Sequence, residues 1–356
     1  MTLLDTLDVE PLEEAALSRE RRRTRGVIST DFLPRFEHIS AGTVEEAAFL
    51  LGSSGGRAAL IAGGTDLLRR LKSRACPIQP DVLINIKSIS KPGLNYIAED
   101  SAGLRIGSLT TLHHIEISEL LREKYGILAR AAHVSGAPQY RNMATLGGSL
   151  CQQVRCWYYR ASRNAFFCRR KGGNECYALD GDNRYHAVFG GECCFAVCPS
   201  DVAIALTAAG AEVKIFGMTG ERVIPLEEFF TTLGNALKPD EILTEVRIPA
   251  PGPDSQGVFV KFGLRNEFDP AIVSVAAVAA VEDGVCRSIR IVLGGVSPIP
   301  WIAVKAGEML VGDRISRDRA ESAARAAVEG ATPLRMNAYK LDLVEALVKR
   351  AVLSFL

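Results

Sequence analysis

Residues 145–201 read TLGGSLCQQVRCWYYRASRNAFFCRRKGGNECYALDGDNRYHAVFGGECCFAVCPSD. Seven of the nine cysteines lie between Cys151 and Cys198. A glycine pair, Gly147 and Gly148, leads in, and the apolar run VAIALTAAGAEVKIF leads out from Val202. Both flanks read as ordinary globular structure, so the cysteine-dense stretch reads as an insert. A secreted disulfide framework spreads its cysteines through a small domain. Clustering within 356 residues favours metal or redox use instead.

The length allows two or three domains. An apolar share of 47% supports a large core, and a net charge of +1 gives no reason to expect a nucleic-acid partner. The basic run from Arg19 to Arg25 reads as a solvated helix end or tail. No stretch reaches the roughly 18 consecutive apolar residues of a membrane span. The start, MTLLDTLDVEPLEEAAL, is acidic and interrupted, unlike a secretory apolar region. A cytoplasmic chain is expected, although export on a signal-bearing partner would leave no trace here.

Working outward toward the N-terminus, residues 1–30 read as a charged arm, and the globular part starts near Phe32. Thr43 and Glu46 have the spacing of a capping box before a short helix. Ala58 to Ala62 reads as a strand that ends on Gly63-Gly64-Thr65-Asp66, just before helical LLRRLKS. Strand, glycine pair and helix start suit a phosphate. Glycine permits close backbone approach, and the free N–H groups of a helix start point at the anion. A plain turn is the commoner use of such a pair, and neither the Rossmann fingerprint nor Walker A is matched. Val82–Ile86 and Leu104–Gly107 read as strands, followed by one helix over TTLHHIEISELLREKY. Its neighbouring His113 and His114 cannot share a face, and each reads as a surface or satisfied histidine. Ile127–His133 reads as helix, and Arg141–Gly148 as a loop with the second glycine pair. Two such loops suit a dinucleotide, whose length needs several backbone-lined contacts.

Toward the C-terminus, Glu212–Phe216 and Arg222–Pro225 read as a hairpin, Leu243–Pro249 as a strand, and Pro249–Gly257 as a linker. Three consecutive antiparallel strands and two helices follow. Leu341, Val344, Val348 and Val352 mark the buried face of the last helix. Strands followed by helices predict a separate α+β domain.

Cys156, Cys168, Cys176 and Cys194 are separated by 11, 7 and 17 residues. No CxxC pair occurs, which counts against an ordinary zinc ribbon, and the compact ferredoxin run is also absent. An open loop can still converge four thiolates on an iron–sulfur cubane. Spacing alone leaves iron–sulfur, zinc, and disulfides or free thiols open. Arg155, Arg160, Arg163, Arg169, Arg170, Lys171 and Arg184 share the stretch, and their charge is expected to favour thiolate. Cys198 precedes Pro199 and competes for the fourth position. Cys76 and Cys286 read as lone buried residues.

IAGGTDLL (61–68), GAPQYRNMATLGGSL (136–150), CPSD (198–201) and LGGVSPIPW (293–301) occur in the order seen in one family. From about residue 32 onward the chain resembles the FAD-binding medium subunits of the xanthine oxidase family of molybdenum hydroxylases. VRCWYY, and the stretch from RYHAV to CCFAVCPSD, resemble its subgroup with an added [4Fe-4S] cluster. That subgroup comprises flavin subunits of 4-hydroxybenzoyl-CoA reductase and of bacterial aldehyde oxidoreductases, and the second is the nearer likeness.

The resemblance implies an α+β fold. A two-part FAD-binding domain of the vanillyl-alcohol-oxidase (PCMH) type spans 31–250, interrupted by an iron–sulfur insert at 151–200. A C-terminal domain follows at 256–356. It implies FAD with Ala62, Gly63, Gly64, Thr65, Asp66 and Leu67 around the pyrophosphate. Ser135, Gly136, Thr145, Gly148 and Ser149 would form a second loop, with Asp201 on the ribityl or adenosine side and Lys261 near the ring system. Ser149 stands where the family usually carries asparagine. Cys156, Cys168, Cys176 and Cys194 are the implied cluster ligands. The family's fourth cysteine lies seven residues before the aspartate of Ser-Asp, and a histidine commonly replaces Cys198. Implied partners are a molybdopterin-binding large subunit, a [2Fe-2S] small subunit and an external electron acceptor or donor. Substrate chemistry would take place on a partner, so no catalytic residue is expected here. The rival expectations are a stand-alone FAD oxidase and a zinc-stabilised scaffold subunit.

Overall fold

A computed structural model describes residues 33–76 and 78–356; the expected arm lies outside the described residues. Strand β1 (Glu37–Ser40), helix α1 (Val44–Ser53), β2 (Ala58–Ile61), α2 (Leu67–Ser73) and β3 (Val82–Asn85) make a small α/β layer. Its sheet is parallel, in the order β1-β3-β2. Thr43 caps α1 by accepting from Glu46 N at 3.1 Å. The Glu46 carboxylate reaches past the cap residue and accepts from Gly42 N at 2.7 Å. Val44, Ala47 and Ala48 of α1 pack with Ile84 of β3.

β4 (Ile97–Asp100) and β5 (Gly103–Gly107) open the second layer, followed by α3 (Leu112–Ile117), α4 (Glu119–Lys124), α5 (Gly126–His133), α6 (Pro138–Arg141) and α7 (Leu146–Leu150). Two expectations change here. The single helix predicted after β5 is two, because Ser118 is extended and its hydroxyl caps α4 at Leu121 N. The predicted Arg141–Gly148 loop begins on the last residue of α6 and ends inside α7. Thr145 caps α7 by accepting from Gly148 N at 3.1 Å, so the glycine pair sits in a helical turn.

The insert contributes α8 (Trp157–Arg160) and two single 3-10 turns. The apolar run after it becomes α9 (Asp201–Ala208), in which all eight residues are buried. β6 (Glu212–Gly217) and β7 (Gly220–Pro225) form the expected hairpin. Next come α10 (Leu226–Phe229), the small pair β8 (Phe230–Thr231) and β9 (Gly234–Asn235), and β10 (Ile242–Pro249). The antiparallel order is β4-β5-β10-β6-β7.

The last sheet joins β11 (Ser255–Phe262), β12 (Val273–Glu282), β13 (Val285–Gly294) and β14 (Trp301–Ile302), backed by α11 (Val304–Glu308), α12 (Arg317–Ala327) and α13 (Tyr339–Leu353). The linker ends at Asp254, because Ser255 and Gln256 already pair with Ala280 and Ala279. Val344, Val348 and Val352 of α13 are fully buried, whereas Leu341 is half-buried. α9 packs on both large layers, since its core cluster includes Ala276 of β12 and Val292 of β13.

The insert is tied to this last part of the chain. Val188 N and Phe189 N donate to Val296 O at 2.8 and 3.1 Å, and Phe189 stacks on Trp301 with centroids 4.7 Å apart. Lys340, fully buried on α13, donates to His186 O at 3.0 Å and to Gly295 O at 2.6 Å. No described helix is long and apolar enough to cross a membrane.

Candidate functional site

The two glycine-bearing segments meet backbone to backbone. A Cβ on Gly63 would stand 1.8 Å from Met143 O, so only glycine allows the approach. Gly64 has φ +71°, the left-handed region that favours glycine. Tyr140 OH donates to Thr65 O at 2.8 Å and fastens the contact. Around this junction runs a two-lobed cleft. Thr65, Asp66, Gly148 and Gln152 line both lobes.

Ala62, Gly63, Gly64, Leu67 and Thr145 line the narrower lobe. Ser135, Gly136, Ser149 and Asp201 line the wider one. The structure therefore brings together twelve of the thirteen residues expected at FAD, leaving Lys261 out. Lys261 sits behind Asp201, its side chain 2% exposed, and donates to Asp201 Oδ2 at 2.7 Å and Val134 O at 2.8 Å. Burial raises the Asp201 carboxyl above its ordinary range, with Lys261 opposing. Ser149 Oγ shares a hydrogen bond with Ser200 Oγ at 2.9 Å.

Asp66 links the cleft to the insert. Its carboxylate accepts from Arg160 Nη2 at 2.5 Å and Gln153 N at 3.2 Å, with Arg70 Nε at 3.3 Å and Arg155 Nη1 at 3.5 Å. Burial works against its charge, but Arg160, Arg155 and Arg70 outweigh burial and hold the carboxyl below its ordinary range. Arg160 also donates to Val154 O at 2.8 Å and Gln153 O at 2.7 Å, which shapes the chain around Cys156.

A second network shapes the wider lobe. Buried Arg141 donates to Glu116 at 2.8 and 3.0 Å and to Gly136 O at 2.5 Å. His133 Nδ1 adds a contact to Glu116 at 2.8 Å. Despite burial, Arg141 and His133 draw the Glu116 carboxyl down to about 2. Arg141 lies 5.4 Å over the Phe268 ring, which brings the β11–β12 loop into the cleft wall. His114 is exposed and His113 is satisfied by Glu116 at 3.5 Å, each within the expected surface-or-satisfied reading. Tyr140, Trp157 and Phe268 also line the wider lobe and were not singled out from the sequence. A buried arginine needs an acid, but nothing local pairs Arg141 with Glu116, 25 residues away.

Cys156, Cys168, Cys176 and Cys194 line one small cavity, together with Cys193, Glu175 and His186. Cys198 faces a different cavity, with Cys151. Burial pushes both of those thiols up to about 12. All nine cysteines are free. Cys76 is not the lone buried residue expected: it is half-buried, packs on the insert and lies 3.6 Å from Tyr159 OH. Cys286 is buried as expected.

The expected favouring of thiolate by cations does not hold at Cys156, which burial pushes up to about 12. The arginines are spent elsewhere. Arg155 and Arg160 hold Asp66, Arg170 donates to Thr232 O and Leu233 O, and Arg184 pairs with Asp182. Lys171 rests its ammonium 5.5 Å over the Tyr159 ring with no hydrogen-bond partner. Among the described residues, no three His, Cys, Asp or Glu side chains stand together at the spacing of a single metal ion. Consecutive residues line the cavity and the cleft. Arg155 and Trp157 line the cleft, and Cys156 between them lines the cysteine cavity.

Known proteins match this arrangement along the described chain. The family described as FAD binding domain in molybdopterin dehydrogenase matches residues 34–251. The family described as CO dehydrogenase flavoprotein C-terminal domain matches residues 259–355. The aldehyde oxidoreductase FAD-binding subunit PaoB of Escherichia coli (strain K12) is 36% identical over 275 residues, 75% of this chain and 83% of that protein. The carbon monoxide dehydrogenase medium chain of Hydrogenophaga pseudoflava is 29% identical over 324 residues, 90% of this chain and 96% of that protein. A solved structure of carbon monoxide dehydrogenase from Hydrogenophaga pseudoflava has a TM-score of 0.73 at 26% identity, over 91% of this chain and 99% of that one. With both segments matched in order, this chain belongs to the FAD-binding medium subunits of the xanthine oxidase family.

Proposed function

We propose that this chain is the electron-transfer subunit of a molybdenum-containing hydroxylase or dehydrogenase complex, and that it carries FAD and a [4Fe-4S] cluster. Its partners in this reading are a molybdopterin-binding large subunit, a [2Fe-2S] small subunit and an external electron acceptor or donor. Bound FAD supplies exchange between two-electron and one-electron chemistry, and a cluster supplies single-electron steps. The name of the relative from Escherichia coli makes aldehydes the first substrate class to try on the intact complex.

The succession Arg155, Cys156, Trp157 carries the reading, because neighbouring side chains line the cleft and the cysteine cavity in turn. The cleft suits a dinucleotide. It is long, it is lined by two glycine segments and the start of α2, and the Asp66 charge beside it is neutralised by arginines. The chain's own residues bind and orient: Tyr140 and Arg141 set the two loops, and Phe268 closes a wall. What supports a shared centre in the insert is that the four expected ligands, with Cys193, face one space.

The test is a visible spectrum of the full chain, purified with whatever subunits accompany it, plus flavin, iron and sulfide assays. Flavin bands over a broad iron–sulfur absorption are expected. Cys194→Ser should remove iron and sulfide and leave FAD, whereas Cys198→Ser should leave both. A colourless protein with stoichiometric zinc would refute the reading, and flavin without iron would remove its cluster half.

A further inference from the structure

One sulfur of the cysteine cavity has a polar side chain beside it. His186 places Nε2 3.3 Å from Cys156 Sγ. The residue is 3% exposed, and its ring lies against Trp157 and Tyr158, with centroids 5.7 and 6.0 Å away. Its backbone is fixed on both sides. The N–H donates to Asn183 O at 2.9 Å, and the carbonyl accepts from Lys340 Nζ at 3.0 Å and Asn337 Nδ2 at 3.1 Å. Trp157, which lines the neighbouring cleft, also donates its indole N–H to Asp182 O at 3.1 Å. The imidazole therefore hangs from a backbone that is fixed as far as α13, and its ring is held by packing against Trp157 and Tyr158.

The direction of this hydrogen bond depends on the state of the sulfur. A thiol can donate, but a metal-bound thiolate only accepts, so the ring nitrogen facing it must then carry the hydrogen. The other nitrogen, Nδ1, is buried without a partner. An unpartnered acceptor is tolerated more readily than an orphaned buried N–H, which also favours the tautomer with hydrogen on Nε2.

We propose that His186 is a positioning residue whose Nε2–H donates to the Cys156 sulfur and raises the reduction potential of the bound cluster. The inference rests on the reading of Cys156 as a ligand. Reduction adds one negative charge to the iron and sulfur atoms. A fixed donor to a ligand sulfur therefore stabilises the reduced form more than the oxidised form. Glu175, which lines the same cavity, acts in the opposite sense wherever it is ionised.

The experiment is a potentiometric titration of the full chain with its accompanying subunits, with the reduced cluster followed by EPR and the flavin couple as internal control. His186→Phe should keep its iron and sulfide. At the unaltered midpoint its reduced-to-oxidised ratio should fall about tenfold, equal to ~59 mV for a one-electron couple. His186→Gln retains an N–H donor and should recover most of the shift, with the flavin couple unmoved in both. An unchanged midpoint in the Phe variant overturns the proposal. So does an equal shift in both variants. Loss of the cluster from both would instead make His186 a ligand. If the Phe variant does not fold, pulsed EPR of unaltered protein carrying 15N-histidine decides: a weak 15N coupling supports the bond, and its absence overturns it. Unaltered protein without iron and sulfide fails earlier, at the reading of the cysteines, and takes this inference with it.

Discussion

Replacing Asp66 with alanine removes the acceptor that the flavin-side loop offers to the insert. The carboxylate is 14% exposed and its partner Arg160 is 15% exposed. A hydrogen bond to a charged group contributes ~1.5–3 kcal/mol, and breaking a fully buried pair costs ~3–5 kcal/mol. At this partial burial, and with Gln153 N also losing its acceptor, Asp66→Ala should cost about 3 kcal/mol. Arg160→Met loses the same pair and two donations to backbone carbonyls, and should cost about 3–4 kcal/mol. Both remove one shared interaction, so the double variant should be only slightly worse than Arg160→Met, with a coupling of about 2 kcal/mol. For a protein of this size, about 3 kcal/mol corresponds to a fall in Tm of ~4–5 °C. Urea titrations of the four proteins without FAD measure the cycle, and FAD titrations show whether affinity falls in both single variants. Additive losses, within ~0.5 kcal/mol, would refute the view that Asp66 and Arg160 join the loop to the insert.

Gly63→Ala should be among the most damaging single-methyl changes, because its Cβ meets backbone, Met143 O at 1.8 Å and Met143 C at 2.7 Å. We expect a loss of about 3 kcal/mol by thermal melting and weaker FAD binding. The same change at Gly126, where nothing lies within 4 Å, should be neutral or mildly stabilising. Glu116→Gln tests the acid limb. The folded carboxyl is drawn down to about 2 from 4.5, so its stabilisation is complete above 4.5 and is lost as pH falls through about 2. Urea midpoints of the two proteins should keep a constant gap above pH 4.5 and converge below it; a gap unchanged across that range would exclude the Glu116 network as its source.

The elements that were legible in the sequence share a local cause. The β6–β7 hairpin, the three long C-terminal strands and the buried face of α13 each carry their own period and turn residues. The strand, glycine pair and helix start at 58–67 were equally readable, because close backbone approach leaves a glycine. The break at Ser118 was not, since a single hydroxyl can cap a new helix inside an unbroken apolar pattern. The roles of the insert's arginines were also hidden. Their nearness in sequence suggested that they serve the thiols, but Arg160 faces Asp66, 94 residues away. The setting of Lys261 was hidden for the same reason. Its tether to Asp201 spans 60 residues and turns it behind the cleft wall. His186 carried no local signal, because its meaning comes from a sulfur 30 residues earlier and an ammonium on the last helix.

That last helix also sets an order in time. The segment around His186 is clasped by Met336 N on Asn183, by Asn337 on His186 and Ala187, and by Lys340 on His186, contacts that span 150 to 154 residues. Chains fold from the N-terminus as they emerge from the ribosome, so every thiol of the insert is made long before its clasp. A nascent or truncated chain ending before Met336 displays the cysteines on an unfastened segment, open to oxidation and to the wrong metal. The finished cavity is a product of the final stage of synthesis.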